Sequence, residues 1–261
     1  DLTWIIQQLG PVKGKRIMDA GAGTGIMQWY LAEEGAHVFS VDRASRANLP
    51  LRFRRRYQVH GLRKQDLLPL HRLIGARMRG TEKIRVKLAV QVNDLRSLGS
   101  RQRAAGQVTI YNQDLKNLAD IPDNSLDAVV AVSALEHNSP DDLQLVVGEL
   151  LRVLKPGAPL LATLGAAPGE DWFHVPSQGW CYSDASLRRC VQLAPETPSN
   201  YAMYNELFTS LHNCAELRNN LARFYFQSGE NGMPWGKWDP QYQPVGVNKI
   251  KSGAVIATNS P

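Results

Sequence analysis

Short apolar runs recur along the chain and alternate with stretches of helical periodicity. The clearest helical stretch covers residues 141–154 after a Ser-Pro-Asp start signal, with apolar residues three or four positions apart. A shorter one, at 26–34, follows a glycine-rich turn. The β-branched and alternating runs predict five strands, at residues 15–20, 37–42, 107–112, 126–133 and 159–164.

Strands that alternate with helices predict an α/β fold, a doubly wound and mainly parallel sheet with helices on both faces. After the fifth strand we expect a helical region at about 200–226 and two short β stretches, near 242–250 and 253–258. A chain of 261 residues suits a single domain that spans residues 1–261.

The segment between the second and third strands is unusually long and basic. Residues 46–106 are predicted to form a helical insertion, because a compact unit needs far fewer residues there. Residues 43–106 hold 17 lysines and arginines against three acids, although the whole chain carries only +6. We expect residues 46–103 to form a cationic cap beside the ligand entrance, where it would meet an anionic acceptor, an anionic membrane surface or RNA. The alternative is a solvated helical surface.

Composition excludes several classes of protein. No apolar run is long enough to span a membrane, and the first residues show no signal peptide. The three cysteines form no paired motif, which fits a reducing compartment, and no metal-ligand spacing is visible. We expect a cytoplasmic protein without a metal site, either free or peripheral to the inner membrane face.

The candidate chemistry begins where the first predicted strand ends. Asp19 is followed by Gly21, Gly23 and Gly25, a turn that lets a ligand approach main-chain N–H groups. Asp42 ends the next strand, where an acidic side chain can accept hydrogen bonds from ribose hydroxyls. The pattern suits a dinucleotide or an adenosyl ligand. The dinucleotide fingerprint, however, needs a glycine where this chain has isoleucine, so a ligand without a pyrophosphate is favoured.

Six segments in order carry a resemblance to a known family. They include Ile17-Met-Asp-Ala-Gly-Ala-Gly-Thr-Gly25, Ala134-Leu-Glu-His137 and Leu154-Lys-Pro-Gly157. In these segments the chain resembles the class I S-adenosylmethionine-dependent methyltransferases, type 11 branch, over roughly 15–46 and 107–165. The resemblance implies a Rossmann-like sheet of seven strands, the last antiparallel, and S-adenosyl-L-methionine as cofactor. The other three segments are Val41-Asp42, Asn112-Gln-Asp114-Leu115 and Leu126-Asp127-Ala-Val-Val.

The resemblance also assigns roles to individual residues. Asp19 and the glycine-rich turn would hold the methionine end of the cofactor, and Asp42 would chelate the ribose hydroxyls. Arg43 would flank the adenine, Asp114 would accept from its amino group beside the backbone N–H of Leu115, and Ser133 would line the methionine pocket. An Asx turn is the alternative role for Asp114. The full cofactor set is Asp19, Gly21, Ala22, Gly23, Gly25, Asp42, Arg43, Asp114, Leu115 and Ser133.

Methyl transfer from a sulfonium needs mainly alignment, and a base only where the acceptor must lose a proton. His137, after the fourth strand, is the first candidate for a catalytic base, followed by Glu136 and His174; a pocket role for His137 is the alternative. The predicted acceptor pocket consists of His137, Trp172, His174 and Trp235.

The leading hypothesis is O-methylation of a small or lipid-linked acceptor that carries negative charge, such as a glycan intermediate. An RNA methyltransferase is the second hypothesis, in which the basic insertion would bind nucleic acid. Against this hypothesis, the insertion contains only two aromatic residues that can stack on RNA bases, Phe53 and Tyr57, which is few for single-stranded recognition. The third is a cofactor-binding scaffold subunit without turnover. The absence of an Asn-Pro-Pro-Tyr motif disfavours methylation of base or amide nitrogens.

Overall fold

The fold is described from a computed structural model. The described residues are 1–46, 49–67, 88, 92, 103–175, 177–216 and 243–252. Within these ranges no helix is both long and apolar enough to cross a membrane.

The strands form one mixed sheet in the order β3-β4-β2-β1-β5-β6-β8-β7, with β9 pairing to β6. The pairs along β3, β4, β2, β1, β5, β6 and β8 are parallel, whereas β9 on β6 and β7 on β8 are antiparallel. The nine strands are β1 Arg16–Ala20, β2 His37–Asp42, β3 His60–Gly61, β4 Gln107–Asn112, β5 Ala128–Val132, β6 Pro159–Ala166, β7 Trp172–His174, β8 Gly179–Tyr182 and β9 Gln243–Ile250.

The predicted α/β fold with a mainly parallel sheet is confirmed, and all five strand predictions overlap observed strands. The described sheet has nine strands instead of the expected seven. Six of the nine match predicted strands, namely the five early ones and the stretch near 242–250, whereas the predicted stretch at 253–258 lies outside the described residues. The other three were not predicted, because β3, β7 and β8 have two, three and four residues, too few for a periodic pattern.

Helices cover both faces of the sheet. One face packs against α1 and α2 through residues such as Ile5 and Leu31, and the other packs against α4 through Val146 and Leu150. Helix α4 begins where the Ser139 hydroxyl accepts a hydrogen bond from the Asp142 N–H, with proline in the first turn. The helices are α1 Leu2–Leu9, α2 Met27–Glu33, α3 Leu51–Arg56, α4 Pro140–Val153, α5 Asp184–Cys190 and α6 Tyr204–Asn213, with 3-10 turns at Leu135–His137 and Tyr201–Met203.

The order of the strands fixes where a ligand can bind. β1 lies between β2 and β5, so the connections leave in opposite directions on its two sides. In open α/β sheets the loops at the carboxyl ends of the strands part at such a point and leave a crevice. The turns that follow β1, β2, β4 and β5 therefore meet at one edge of the sheet.

The basic segment is described only in part. Its described portion contains α3 and β3, whereas residues 68–87 and 93–102 lie outside the described ranges, together with most of the expected cap. Three of its cations are held by the fold: Arg46 is buried, Arg56 pairs with Glu33, and Arg63 pairs with Asp66. These three cations are therefore engaged within the fold, and the cationic cap as a whole stays a prediction.

Phe53 and Tyr57 do not form a stacking surface. Their rings pack on Trp29 with centroid distances of 5.3 and 4.8 Å, and Tyr57 is buried in the core. The two aromatics that the insertion offers for base stacking are thus engaged with Trp29, which adds to the sequence argument against RNA recognition. The C-terminal helical prediction is met by the turn at Tyr201–Met203 and by α6, while its remainder and the stretch at 253–258 fall outside the described residues.

Candidate functional site

A cavity of about 250 Å³ opens at the carboxyl edge of β1, β2, β4 and β5. Six residues of the predicted cofactor set line it together with His137, although they come from four separate strand ends. The lining residues are Gly21, Asp42, Arg43, Asp114, Leu115, Ser133, Ala134, His137 and Asn138.

The glycine-rich turn forms one wall of the cavity and requires glycine at its first position. Gly21 has φ +72°, and a Cβ built there would lie 2.4 Å from the Cβ of Ala134. Gly23 also has a positive φ of +46°, and the N–H of Gly25 donates to the carbonyl of Ala22 at 2.8 Å. Larger residues at Gly21 would therefore meet both backbone strain and a steric clash.

Asp42 is held by two backbone amides. Its Oδ2 accepts from the N–H of Gly23 at 2.8 Å, and its Oδ1 accepts from the N–H of Ala44 at 2.6 Å. Each carboxylate oxygen can accept a second hydrogen bond, and the side chain lines the cavity. The carboxylate is thus oriented in advance for a ligand that donates two hydrogen bonds.

Asp19 lies beneath the turn, outside the lining of the cavity, with 3% of its surface exposed. Its Oδ2 has no hydrogen-bond partner among the described residues. Burial raises the pKa of Asp19 to about 7, against the lowering effect of the Gln28 backbone N–H and of Arg46. A buried carboxyl oxygen without a donor suits the ammonium group of a ligand, so Asp19 fits the methionine end of an adenosyl cofactor.

Asp114 also lines the cavity. Its Oδ1 accepts from the Lys116 N–H at 2.9 Å, which is the Asx turn weighed as its alternative role. Its Oδ2 lies 3.8 Å from Nε of Arg43, whose side chain is 81% exposed. The Asx turn fixes this carboxylate at the cavity, so it is compatible with the expected contact to adenine.

Ser133 directly follows β5 in a left-handed conformation, with φ +45°. Its N–H donates to Thr163 on β6, through both the carbonyl and the hydroxyl. For a residue other than glycine this conformation costs energy, and such strain is concentrated at binding sites.

His137 ends the 3-10 turn that follows β5, and its side chain is exposed at the cavity. Its Nδ1 lies 3.0 Å from the backbone carbonyl of Gln178. A carbonyl only accepts, so Nδ1 must carry the proton of the neutral ring and Nε2 must carry the lone pair. Gln178, in the turn between β7 and β8, has a left-handed φ of +54°.

The other predicted acceptor residues are not brought to this cavity. His174 on β7 is 2% exposed, with Nδ1 2.7 Å from the Ser177 hydroxyl, and Trp172 packs beside Ala167. Trp235 lies outside the described residues. Within the described ranges there is no cluster of three or more histidine, cysteine or acidic side chains that could hold a metal ion.

Glu136 precedes the cavity histidine but points elsewhere. Its carboxyl is buried, with Oε2 lacking a hydrogen-bond partner among the described residues, and a Cβ on Gly179 would lie 3.0 Å from its Cγ. Burial raises the pKa of Glu136 to about 7. Because the side chain packs under β8, the second candidate base does not line the cavity.

Sequence reasoning missed a buried polar group behind the cavity. Arg46, Ser40 and Gln28 are each 0–1% exposed and are joined by hydrogen bonds. No local pattern singles them out, since an arginine in a basic segment and a glutamine in a helix are ordinary surface residues.

The chain matches the family of the type 11 methyltransferase domain over residues 85–162. This match covers β4, β5 and the start of β6 but not the glycine-rich turn, so the turn and the family match are separate observations.

Short segments also match curated proteins. One is 39% identical over 46 residues to the ubiquinone biosynthesis O-methyltransferase of Leptothrix cholodnii, covering 18% of this chain and 20% of that protein. Another is 46% identical over 41 residues to the protein of the same description from Aeromonas salmonicida, covering 16% and 17%. The matched segments span no more than a fifth of the length of these relatives.

Among solved structures, the phospholethanolamine N-methyltransferase 2 of Haemonchus contortus has a similar fold. The TM-score is 0.51 at 14% identity, and the match covers 96% of this chain and 52% of that chain. The fold is therefore shared with a solved methyltransferase structure, and residues 85–162, less than a third of the chain, match the methyltransferase domain family.

Proposed function

We propose that the protein transfers a methyl group from S-adenosylmethionine to a hydroxyl oxygen of a small acceptor. The observation that carries this proposal is the bond between Nδ1 of His137 and the carbonyl of Gln178. It leaves a basic Nε2 on an exposed ring at the cofactor cavity. A hydroxyl needs such a base because it must lose its proton, whereas a neutral amine attacks with its own lone pair.

The cofactor is held by carboxylates from successive strand ends in this proposal. Asp19 receives the ammonium group, Asp42 receives the ribose hydroxyls, and Asp114 with the N–H of Leu115 receives the adenine edge. The glycine-rich turn lets the methionine end lie against the main chain. When bound, S-adenosylmethionine supplies an electrophilic methyl group on a positively charged sulfur.

His137 takes the hydroxyl proton onto Nε2 as the acceptor oxygen becomes nucleophilic. The carbonyl of Gln178 stabilises the resulting imidazolium through Nδ1–H, since a carbonyl dipole favours a charged donor. The proton then leaves to solvent, which the exposed position of the ring allows. The reaction forms one oxygen–carbon bond and breaks one sulfur–carbon bond.

Two further observations support a small hydroxyl acceptor. The two curated relatives are described as O-methyltransferases of ubiquinone biosynthesis. The exposed Arg43 places positive charge at the cavity, which favours an acceptor with an anionic substituent. The lipid-linked acceptor, the glycan intermediate and the membrane partner of the sequence hypotheses have no comparable support among the described residues.

The test is transfer of labelled methyl from S-adenosylmethionine to paired small molecules that differ only in a hydroxyl or an amine. We expect O-methyl products, with better turnover for hydroxyl compounds that carry a carboxylate. His137→Gln should lower turnover on hydroxyls and leave the affinity for S-adenosylhomocysteine unchanged. Methylation of the amines alone would contradict the proposal, and binding of the cofactor without transfer to any member would favour the scaffold hypothesis.

A further inference from the structure

Arg46 is a buried cation directly behind the cofactor cavity. Only 1% of its surface is exposed, and its guanidinium donates only to neutral acceptors. No carboxylate of the described residues lies within ion-pair distance of it. The acceptors are the Ser40 hydroxyl at 3.0 Å, the Ser40 carbonyl at 2.9 Å, the Tyr111 carbonyl at 3.1 Å and Oδ1 of Asn112 at 3.0 Å.

Burial of a guanidinium without a direct counter-ion is costly, so nearby negative charge must offset part of the cost. The carboxylates that act on Arg46 are Asp42, Asp19 and Asp66, and burial lowers the pKa of the guanidinium against them. Asp66 is already paired with Arg63. The remaining two are the carboxylates expected to bind the cofactor.

A continuous line of hydrogen bonds joins the guanidinium to the glycine-rich turn. The Ser40 hydroxyl accepts from Arg46 and donates to Oε1 of Gln28 at 2.8 Å. Nε2 of Gln28 then donates to the carbonyl of Gly25 at 3.0 Å, with the carbonyls of Ala22 and Gly23 at 3.4 Å. The path is buried from Arg46 to Gln28 and part-buried where it reaches the turn, so a change at Arg46 is transmitted to the turn.

We propose that Arg46 is a positioning residue for the cofactor, as the buried counter-charge of Asp19 and Asp42 and as the anchor of the glycine-rich turn through Ser40 and Gln28. The inference rests on the proposed placement of the cofactor but not on the identity of the acceptor. Cofactor binding then depends on the charge of a residue that does not line the cavity.

The counter-charge role of Arg46 implies that cofactor binding depends on pH. The groups that act on the Asp19 carboxyl are Asp42 at the end of β2, Arg46 after it, and the Gln28 backbone N–H on α2. Loss of the Arg46 charge leaves Asp42 and burial to oppose ionisation of Asp19. The carboxylate form that pairs with the ligand ammonium should then be populated only at higher pH.

The experiment is calorimetric titration with S-adenosylhomocysteine from pH 6 to pH 8.5, on the wild type, Arg46→Gln and Arg46→Lys. In the wild type the affinity should rise with pH to a plateau, with a midpoint near the pKa of Asp19, about 7. Arg46→Gln should bind about tenfold more weakly at pH 7, with the midpoint about one unit higher and the deficit reduced at pH 8.5. Arg46→Lys should restore the midpoint but not the full affinity, because one ammonium cannot reproduce the fork of hydrogen bonds.

Two further variants separate charge from structure. Ser40→Ala breaks the line of hydrogen bonds and keeps the cation, so it should weaken binding by a similar factor at every pH. Arg56→Gln removes a cation from a surface pair with Glu33 and should leave both affinity and midpoint unchanged. If Arg46→Gln does not fold, Arg46→Met, which also removes the charge, carries the test through the same upward shift of the midpoint.

An Arg46→Gln deficit that stays constant with pH would overturn the counter-charge role. Full affinity in Ser40→Ala would overturn the anchor role. Failure of the wild type to bind S-adenosylhomocysteine would overturn the cofactor placement itself, whereas failure to find a hydroxyl acceptor would leave these binding results intact.

Discussion

The backbone N–H of Gly23 donates a 2.8 Å hydrogen bond to Oδ2 of Asp42, which fastens the glycine-rich turn after β1 to the end of β2. The turn thereby orients the carboxylate that should receive the ribose, and the carboxylate shapes the turn that should receive the methionine end. The two halves of the cofactor site are therefore coupled, and damage to one should be felt at the other.

Removal of the carboxylate tests this coupling. Asp42→Ala should weaken binding of S-adenosylhomocysteine by about 1.5–3 kcal/mol, the range for hydrogen bonds to a charged group. Calorimetric titration measures the change, with Asp141→Ala, an exposed acid in the first turn of α4, as the control. Undiminished affinity in Asp42→Ala would mean that the ribose binds elsewhere.

Gly21→Ala should lower both stability and cofactor affinity. The added Cβ clashes with Ala134 and must adopt a positive φ, which together should cost about 1–3 kcal/mol in the free energy of unfolding. Gly148→Ala is the matched control, because this exposed helical glycine has nothing within 4 Å of its added Cβ and should stabilise the protein by about 0.5–1 kcal/mol. Urea unfolding of both variants measures the difference. Equal stabilities would contradict the account of the turn.

The pH dependence of stability has a definite sign. Burial raises the pKa values of Asp19 and Glu136 to about 7 in the folded protein, above their ordinary values of 3.8 and 4.5. Their contribution to stability is therefore complete below about pH 4 and is lost as pH rises through 7. Carboxyls whose pKa is lowered in the folded protein, such as Asp127, contribute stability at neutral pH and lose that contribution as pH falls into the acidic range.

A ligand ammonium that pairs with ionised Asp19 should cancel part of this loss. The increase in melting temperature caused by saturating S-adenosylhomocysteine should thus be larger at pH 8 than at pH 6. Asp19→Asn should flatten the difference. Equal increases at both pH values in the wild type would argue against a contact between the ammonium and Asp19.

His137→Ala should reduce kcat on a hydroxyl acceptor by about 10²–10⁴-fold while the affinity for S-adenosylhomocysteine stays within twofold. The loss should shrink at high pH, where the acceptor ionises without help. Steady-state kinetics separates this from the pocket role, which would raise KM with kcat mostly kept. The latter result would remove the main support for an oxygen acceptor.

The sequence was sufficient for the parts of the site that depend on local order. The end of β1, the glycine spacing and Asp42 all lie within about 25 residues of one another, so a local pattern reveals them. The parallel sheet then brings the ends of the later strands to the same edge. Asp114 and Ser133 could be anticipated for the same reason, since each follows a predicted strand.

Contacts between segments far apart in the chain could not be predicted from the sequence. Arg46 is held by Tyr111 and Asn112, 65 and 66 residues away, so a count of charges treated it as part of a cationic surface. The carbonyl that sets the tautomer of His137 belongs to Gln178, 41 residues later and in a strained turn. The carbonyls of Tyr111 and Gln178 leave no trace in residue type, and the Asn112 side chain is too distant in sequence for any local pattern to link it to Arg46.

The central claim is that this cavity binds an adenosyl cofactor through Asp19, Asp42 and Asp114. Calorimetric titration of the wild-type protein with S-adenosylhomocysteine, and separately with NADH, tests it most directly. The account predicts one site per chain for S-adenosylhomocysteine, weakened in Asp19→Asn and in Asp42→Ala, and no saturable binding of NADH. Tighter binding of NADH, or S-adenosylhomocysteine affinity indifferent to both substitutions, would contradict it.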